Sequence, residues 1–139
     1  MSKVGLTTEV TTTQNFYSDL FNDFSRHAQT GELNRKTNEN AVKQSVRNLL
    51  LTNKGERLFQ PTVGSNLKAL LFENATPFIN QMLHDYILET IENHEPRAEI
   101  IEVQVSDDID NNAVNISAII QVINNNDPVE LKLVLERIR

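Results

Sequence analysis

The chain is predicted to be an α+β domain: two main helices packed on one face of a small, mainly antiparallel three-stranded sheet, with a less regular N-terminal arm. Three observations predict it. Apolar residues recur at helical spacing over 41–51 and again over 76–93. From residue 101 onward the apolar period switches to two, in three successive segments. Those segments are joined by short runs rich in Asp and Asn, and short connections favour antiparallel neighbours. At 139 residues one domain is expected, large enough to bury about two thirds of the surface its unfolded chain exposes. The boundaries read as an arm over 1–40 and a single domain over 41–139.

Residues 1–15 are polar and threonine-rich, without apolar periodicity, and read as a mobile or partner-ordered arm. Phe16, Tyr17, Leu20, Phe21 and Phe24 then fit either a short helix face or an irregular extended segment. They belong either to the domain's own core or to an intermolecular anchor. Gly31 marks a turn in the polar stretch that follows.

The first helix is expected over Ala41–Leu51, capped by Asn40. Val42, Val46, Leu49 and Leu50 fall on one face. Gly55, just beyond, is the residue type that commonly ends a helix in the left-handed region. A loop over 56–65 is broken by Pro61 and Gly64, and its apolar members Leu58, Phe59 and Val63 are expected to fold onto the core. Asn66–Phe72 reads as a short helix burying Leu67, Leu70 and Leu71.

The second long helix is expected over Thr76–Asn93. Thr76 caps it, and Pro77 suits the first turn, where its missing N–H costs nothing. Its stripe is Ile79, Met82, Leu83, Tyr86, Ile87 and Ile91, and its length is roughly 27 Å at 1.5 Å per residue. Pro96 drives Glu95 out of helical geometry and ends it. Three strands follow, with inward sets Ile101, Val103, Val105; then Val114, Ile116, Ala118, Ile120, Val122; then Val129, Leu131, Leu133, Leu135. Ser106 through Asn112 and Asn124 through Pro128 carry turn chemistry.

Composition excludes several classes. The absence of cysteine rules out disulfides and thiolate metal sites and suits an intracellular origin. No run of about 18 apolar residues is present, so no membrane-spanning helix is expected. No apolar signal core follows Met1-Ser2-Lys3. The net charge is −6, and residues 98–139 hold eight of the acids against three bases. A nucleic-acid binder would carry a basic stripe instead, so none is expected as a partner. The acidity reads as a solvated sheet face, or as a surface for a basic partner.

Catalytic and cofactor chemistry is not signalled. His27, His84 and His94 lack the convergent ligands that zinc needs. There is no glycine-rich phosphate loop. Ser45 and Ser65 have no nucleophile's surroundings. Glu56, Glu73, Glu92 and Glu95 could in principle form a glycosidase pair, but four glutamates are unremarkable in an acidic chain. No cofactor, metal or catalytic residue is therefore expected.

Two segments carry a resemblance. One is Leu51-Thr52-Asn53-Lys54-Gly55-Glu56-Arg57-Leu58-Phe59-Gln60-Pro61-Thr62-Val63-Gly64 with Leu71-Phe72-Glu73 and Thr76-Pro77 beyond it. The other is Glu95-Pro96-Arg97. In this order, with the Ala41–Leu50 helix ahead of them, they resemble the small baseplate wedge and sheath-initiator family of contractile tails. The likeness extends over roughly Tyr17 to Leu135. That family is similar to the wedge protein of T-even phage baseplates and to the small baseplate subunit of type VI secretion. Leu58 departs from the pattern, standing where relatives carry proline.

The resemblance implies a structural protein of the virion tail baseplate, assembled in the host cytoplasm and present in several copies around a ring. It implies docking on the wedge core bundle through Glu95, Pro96 and Arg97. It implies that an exposed sheet edge, taken as the last strand with Val129, Leu131, Leu133 and Leu135, templates the tail sheath protein. Tube or hub proteins are further expected neighbours; a membrane is not. From chemistry alone the tripeptide is equally a local ion pair. In an extended segment Glu95 and Arg97 would point to one side and could face a partner together. The edge, in turn, could be guarded by Glu130, Lys132 and Glu136. A regulatory anti-adaptor of similar fold, or a peptidoglycan hydrolase, are the alternatives.

Overall fold

Alternating apolar residues from 98 onward build the sheet that organises everything else. The computed structural model describes residues 14–137. In chain order the elements are β1 (Ser18–Leu20), β2 (Arg35–Thr37), α1 (Asn38–Leu51), α2 (Leu67–Leu70), α3 (Pro77–His94), β3 (Ala98–Asp108), β4 (Ala113–Val122) and β5 (Pro128–Glu136). The threonine-rich stretch read as an arm over 1–15 lies, up to residue 13, outside the described residues.

The main sheet has the order β3-β4-β5 and is antiparallel throughout. Its central strand buries Val114, Ile116, Ala118, Ile120 and Val122 as the period of two requires. Leu131, Leu133 and Leu135 of β5 are buried on the same face, with Val129 packed at its margin. On β3 the expected inward set fails at Ile101, which is 55% exposed. The register slips between Ile100 and Glu102, so Ile101 is the extra residue of a bulge, and Ile100 packs on the core in its place. β3 also runs on through Ser106, Asp107 and Asp108, which the turn chemistry had suggested were loop.

α1, α2 and α3 cover the buried face. Val42, Val46, Leu50, Leu67, Leu83, Ile87 and Ile91 meet the sheet residues in one hydrophobic cluster. Thr76 Oγ1 accepts the Ile79 N–H at 3.3 Å, and Pro77 opens α3, both as the sequence implies. The start of α1 differs. The helix begins at Asn38 behind Thr37, and Asn40 lies inside it rather than capping it. Asn38 instead accepts the Phe16 N–H on its side-chain oxygen at 2.9 Å, tying the arm to the helix. Gly55 does not terminate α1: the helix ends at Leu51, and Thr52 turns the chain into extended geometry.

The loop after α1 is closed by its backbone, not by its apolar side chains. Ser65 N–H donates to Thr52 C=O at 2.8 Å, and Ser65 Oγ donates to Leu50 C=O at 2.6 Å. Gly64 sits at φ +128, and a Cβ there would lie 2.6 Å from Thr52 O. Leu58 and Phe59 do not fold back: they are 85% and 100% exposed, and Val63 is only half-buried.

The aromatic segment is part of a hairpin. β1 pairs antiparallel with β2, and Tyr17 alone of its aromatics packs on the core cluster. Phe16 and Phe24, on either side of β1, are exposed.

Candidate functional site

The helix-to-strand junction assembles four side chains. Glu95 ends α3: its N–H donates to Ile91 C=O at 2.8 Å, and its C=O accepts the Ala98 N–H at 3.1 Å. Glu95-Pro96-Arg97-Ala98 is therefore a tight turn and not the extended segment expected. Pro96, unable to continue the helix, occupies the exposed corner. The turn folds Arg97 back on Glu95 rather than setting the two side by side. Arg97 Nε donates to Glu95 Oε1 at 2.6 Å and Nη2 to Oε2 at 2.8 Å. This is the bidentate fork that lysine cannot make.

Ser45 of α1 donates to Glu95 Oε2 at 2.5 Å. The Arg97 guanidinium also stands over the Tyr17 ring, 5.4 Å from its centroid. The junction thus ties α1, α3, β3 and the arm together. The Glu95 side chain is 4% exposed and that of Arg97 34%. Burial pushes the Glu95 carboxyl up, but the hydrogen bonds from Arg97 and Ser45 outweigh it, leaving the group below its ordinary value. The carboxylate is spoken for within the chain. What faces outward is Pro96 and the open side of the guanidinium.

The second expected site is the β5 edge. Among the described residues β5 pairs with β4 alone, so its outer flank is open. In an antiparallel ladder the N–H and C=O of one residue point to the same side, and successive residues alternate. Arg137 N–H donates to Asn112 C=O across the ladder at 2.8 Å. By that alternation Val129, Leu131, Leu133 and Leu135 bond to β4, while Glu130, Lys132, Val134 and Glu136 turn their backbone groups outward. The four expected residues anchor the strand, and their neighbours carry its free hydrogen-bonding groups.

The chain matches a family model described as baseplate wedge protein gp25 over residues 36–127. It is 31% identical over 99 residues to baseplate wedge protein gp25 of Enterobacteria phage T4, covering 71% of this chain and 75% of that one.

The chain belongs to this baseplate wedge family.

As a wedge protein it is a structural part of a contractile tail's baseplate, where it associates with other baseplate proteins. Three solved structures share the fold. A Geobacter sulfurreducens protein provisionally described as a tail lysozyme gives TM-score 0.66 at 21% identity, over 70% of this wedge chain and 89% of that chain. The anti-feeding prophage baseplate gives 0.62 at 24%, over 88% and 87%. The post-contraction pyocin R2 baseplate gives 0.52 at 18%, over 78% and 95%. The family match runs from β2 to the residue before β5, so it is narrower than the expected Tyr17–Leu135 and excludes the edge strand.

Sequence reading missed two parts of the wedge protein's polar architecture. Ser45 was set aside for lacking a nucleophile's surroundings. Its signal was its place on the buried stripe of α1, four residues after Ala41 and four before Leu49. The other part is at the far end of the sheet. Arg137 Nη2 donates to Asp107 Oδ1 at 2.6 Å and Nη1 to Glu73 C=O at 2.9 Å, while Asn80 Nδ2 donates to Asp107 Oδ2 at 2.7 Å. This second buried pair locks the end of β5 to β3 and to the start of α3. Among the described residues no His, Asp and Glu side chains converge as a metal site, and no helix is long and apolar enough to cross a membrane. Of the four glutamates weighed for a glycosidase pair, Glu95 is held in its ion pair and Glu56 accepts the Asn53 N–H at 2.9 Å.

Proposed function

We propose that this wedge protein acts without catalysis, docking on the wedge core bundle and templating the first sheath ring by strand addition at β5. Residues 41–139 form the working domain, and 1–40 serve as an extension that meets neighbouring subunits. Docking runs through Pro96 and the open side of Arg97, with Glu95 as the residue that holds the guanidinium in place. Its partners are the core bundle, the sheath protein and the tube or hub proteins, in several copies around a ring within the virion.

The observation that carries this reading is the open flank of β5. An extended segment of another chain can bond to the outward N–H and C=O groups of Glu130, Lys132, Val134 and Glu136. Each bond contributes only about 1 kcal/mol net, so several together, repeated around a ring, are needed to start an assembly.

Val134→Pro tests it, because proline there removes an outward N–H and leaves the β4 pairing intact. The expected result is a folded protein, by circular dichroism, that enters baseplates but nucleates no sheath in electron micrographs of tail particles. Normally sheathed tails would overturn the template role. For docking, Arg97→Ala should leave wedges lacking this subunit; fully sheathed tails at normal yield would overturn it.

A further inference from the structure

The two ends of the open β5 flank have opposite chemistry, and neither end is explained by strand addition alone. Beside Glu130–Lys132, between α1 and β5, lies a cleft of about 450 Å³ walled by Lys36, Lys43, Arg47 and Lys132. Glu130 is the one carboxylate among its lining residues, and it is already held by Lys132 at 3.2 Å. In a chain of net charge −6, four cations around one cleft stand against the overall balance. Lys36, Lys43 and Arg47 have no carboxylate within ion-pair distance among the described residues.

Beside Val134–Glu136 the flank meets an apolar groove of about 350 Å³ between α2 and the strand, formed chiefly by Leu71, Phe72, Val134 and Leu135. Phe72 and Val134 are both exposed there. Four strand residues, or roughly 13 Å, separate the cationic cleft from this groove.

We infer that the occupant of the β5 flank is an extended segment of a partner protein that is acidic in one half and carries large apolar side chains in the other. The inference rests on the strand-addition reading and specifies its guest. Side chains on one face of a strand repeat every second residue, so a carboxylate and an apolar side chain four residues apart face the same helices. The carboxylate lies near Lys43 and Arg47 on α1's side, with Lys132 at the strand margin beside it, and the apolar side chain lies against Phe72 on α2's side. Backbone bonding alone would accept any sequence. The charge at one end and the groove at the other select the guest and set its register. A basic segment is repelled at the cleft, and a uniformly polar one leaves the apolar groove unfilled.

The test is an NMR titration of the full ¹⁵N-labelled chain. The probes are ten-residue threonine-rich peptides with two glutamates in one half and two leucines in the other, made in both chain directions. The control peptide has lysines for glutamates. The expected result is a shift of the Glu130, Lys132 and Val134 amides, with the glutamate peptide binding about tenfold tighter than the lysine peptide. The Lys43→Glu, Arg47→Glu double variant reverses that order, and Phe72→Ser weakens both peptides. Lys132→Glu, at an exposed side chain, repeats the reversal if the double variant does not fold. Equal affinity for both peptides with the β5 amides still shifting overturns the acidic guest and leaves strand addition standing. Binding that shifts α1 amides but none in β5 overturns both, as does the absence of binding by every peptide.

Discussion

Ser45 and Glu95 stand fifty residues apart in sequence and 2.5 Å apart at their side-chain oxygens. A hydroxyl that donates to a buried carboxylate contributes about 2 kcal/mol, more than a neutral bond, because the acceptor is charged and has no water to turn to. Ser45→Ala should therefore lower the free energy of unfolding by about 2 kcal/mol in urea titrations. A loss below the resolution of that measurement would show that the contact is not maintained in solution.

The same carboxylate sets a pH dependence. Its pKa is lower folded than unfolded, so the stabilisation is present above the unfolded value and disappears as pH falls through the folded one. Urea midpoints recorded from pH 7 downward should fall below about pH 4.3, the ordinary glutamate value. Glu95→Gln should start less stable and show a shallower acid limb. An unchanged limb in that variant would assign the acid sensitivity elsewhere.

At the other end of the sheet, Arg137 is 8% exposed at its side chain and paired with Asp107. Arg137→Ala leaves that carboxylate with Asn80 as its remaining side-chain donor and takes the arginine from the Glu73 carbonyl, a loss of about 3 kcal/mol. Asp107→Asn keeps an acceptor for Arg137 and should cost less than half as much. Equal losses for the two variants would mean that packing of the arginine stem, not the ion pair, is what matters.

Gly64 is irreplaceable on two grounds, its φ of +128 and the Thr52 carbonyl in the space a Cβ would take. Gly64→Ala should destabilise by about 3 kcal/mol and raise hydrogen exchange over the loop that follows α1. A neutral substitution would mean that the loop can re-route.

Phe59, fully exposed at the loop tip, should behave in the opposite way. Phe59→Ser is expected to change stability by no more than about 0.5 kcal/mol. If that variant also assembles tails normally, the tip has no partner in the particle.

What the sequence made legible were the features with a strong local period. The five inward residues of β4, the Thr76-Pro77 start of α3 and the Leu67, Leu70, Leu71 contact follow from spacing and capping alone. The misreadings share a different cause. Ile101 alternates faultlessly in sequence, and only its pairing with β4 reveals the slip. Leu58 and Phe59 are apolar, but apolarity says nothing about whether a short turn can reach the core. Glu95 and Arg97 were placed at the right junction with the wrong backbone, because a proline ends a helix without dictating whether a turn or a strand comes next. The cations around the β5 cleft come from β2, α1 and β5, and no linear pattern joins them.

The slip at Ile101 gives the sheet a direction. Along β3, the backbone groups on the far side from β4 fall out of step near the strand's start, so a straight visitor could follow only part of it; β5 keeps one register from end to end. Such a sheet offers a visiting strand one unbroken margin and one interrupted one. Under the proposed strand addition each copy would then take a single neighbour, so the number of recruited chains would follow the number of copies in the ring.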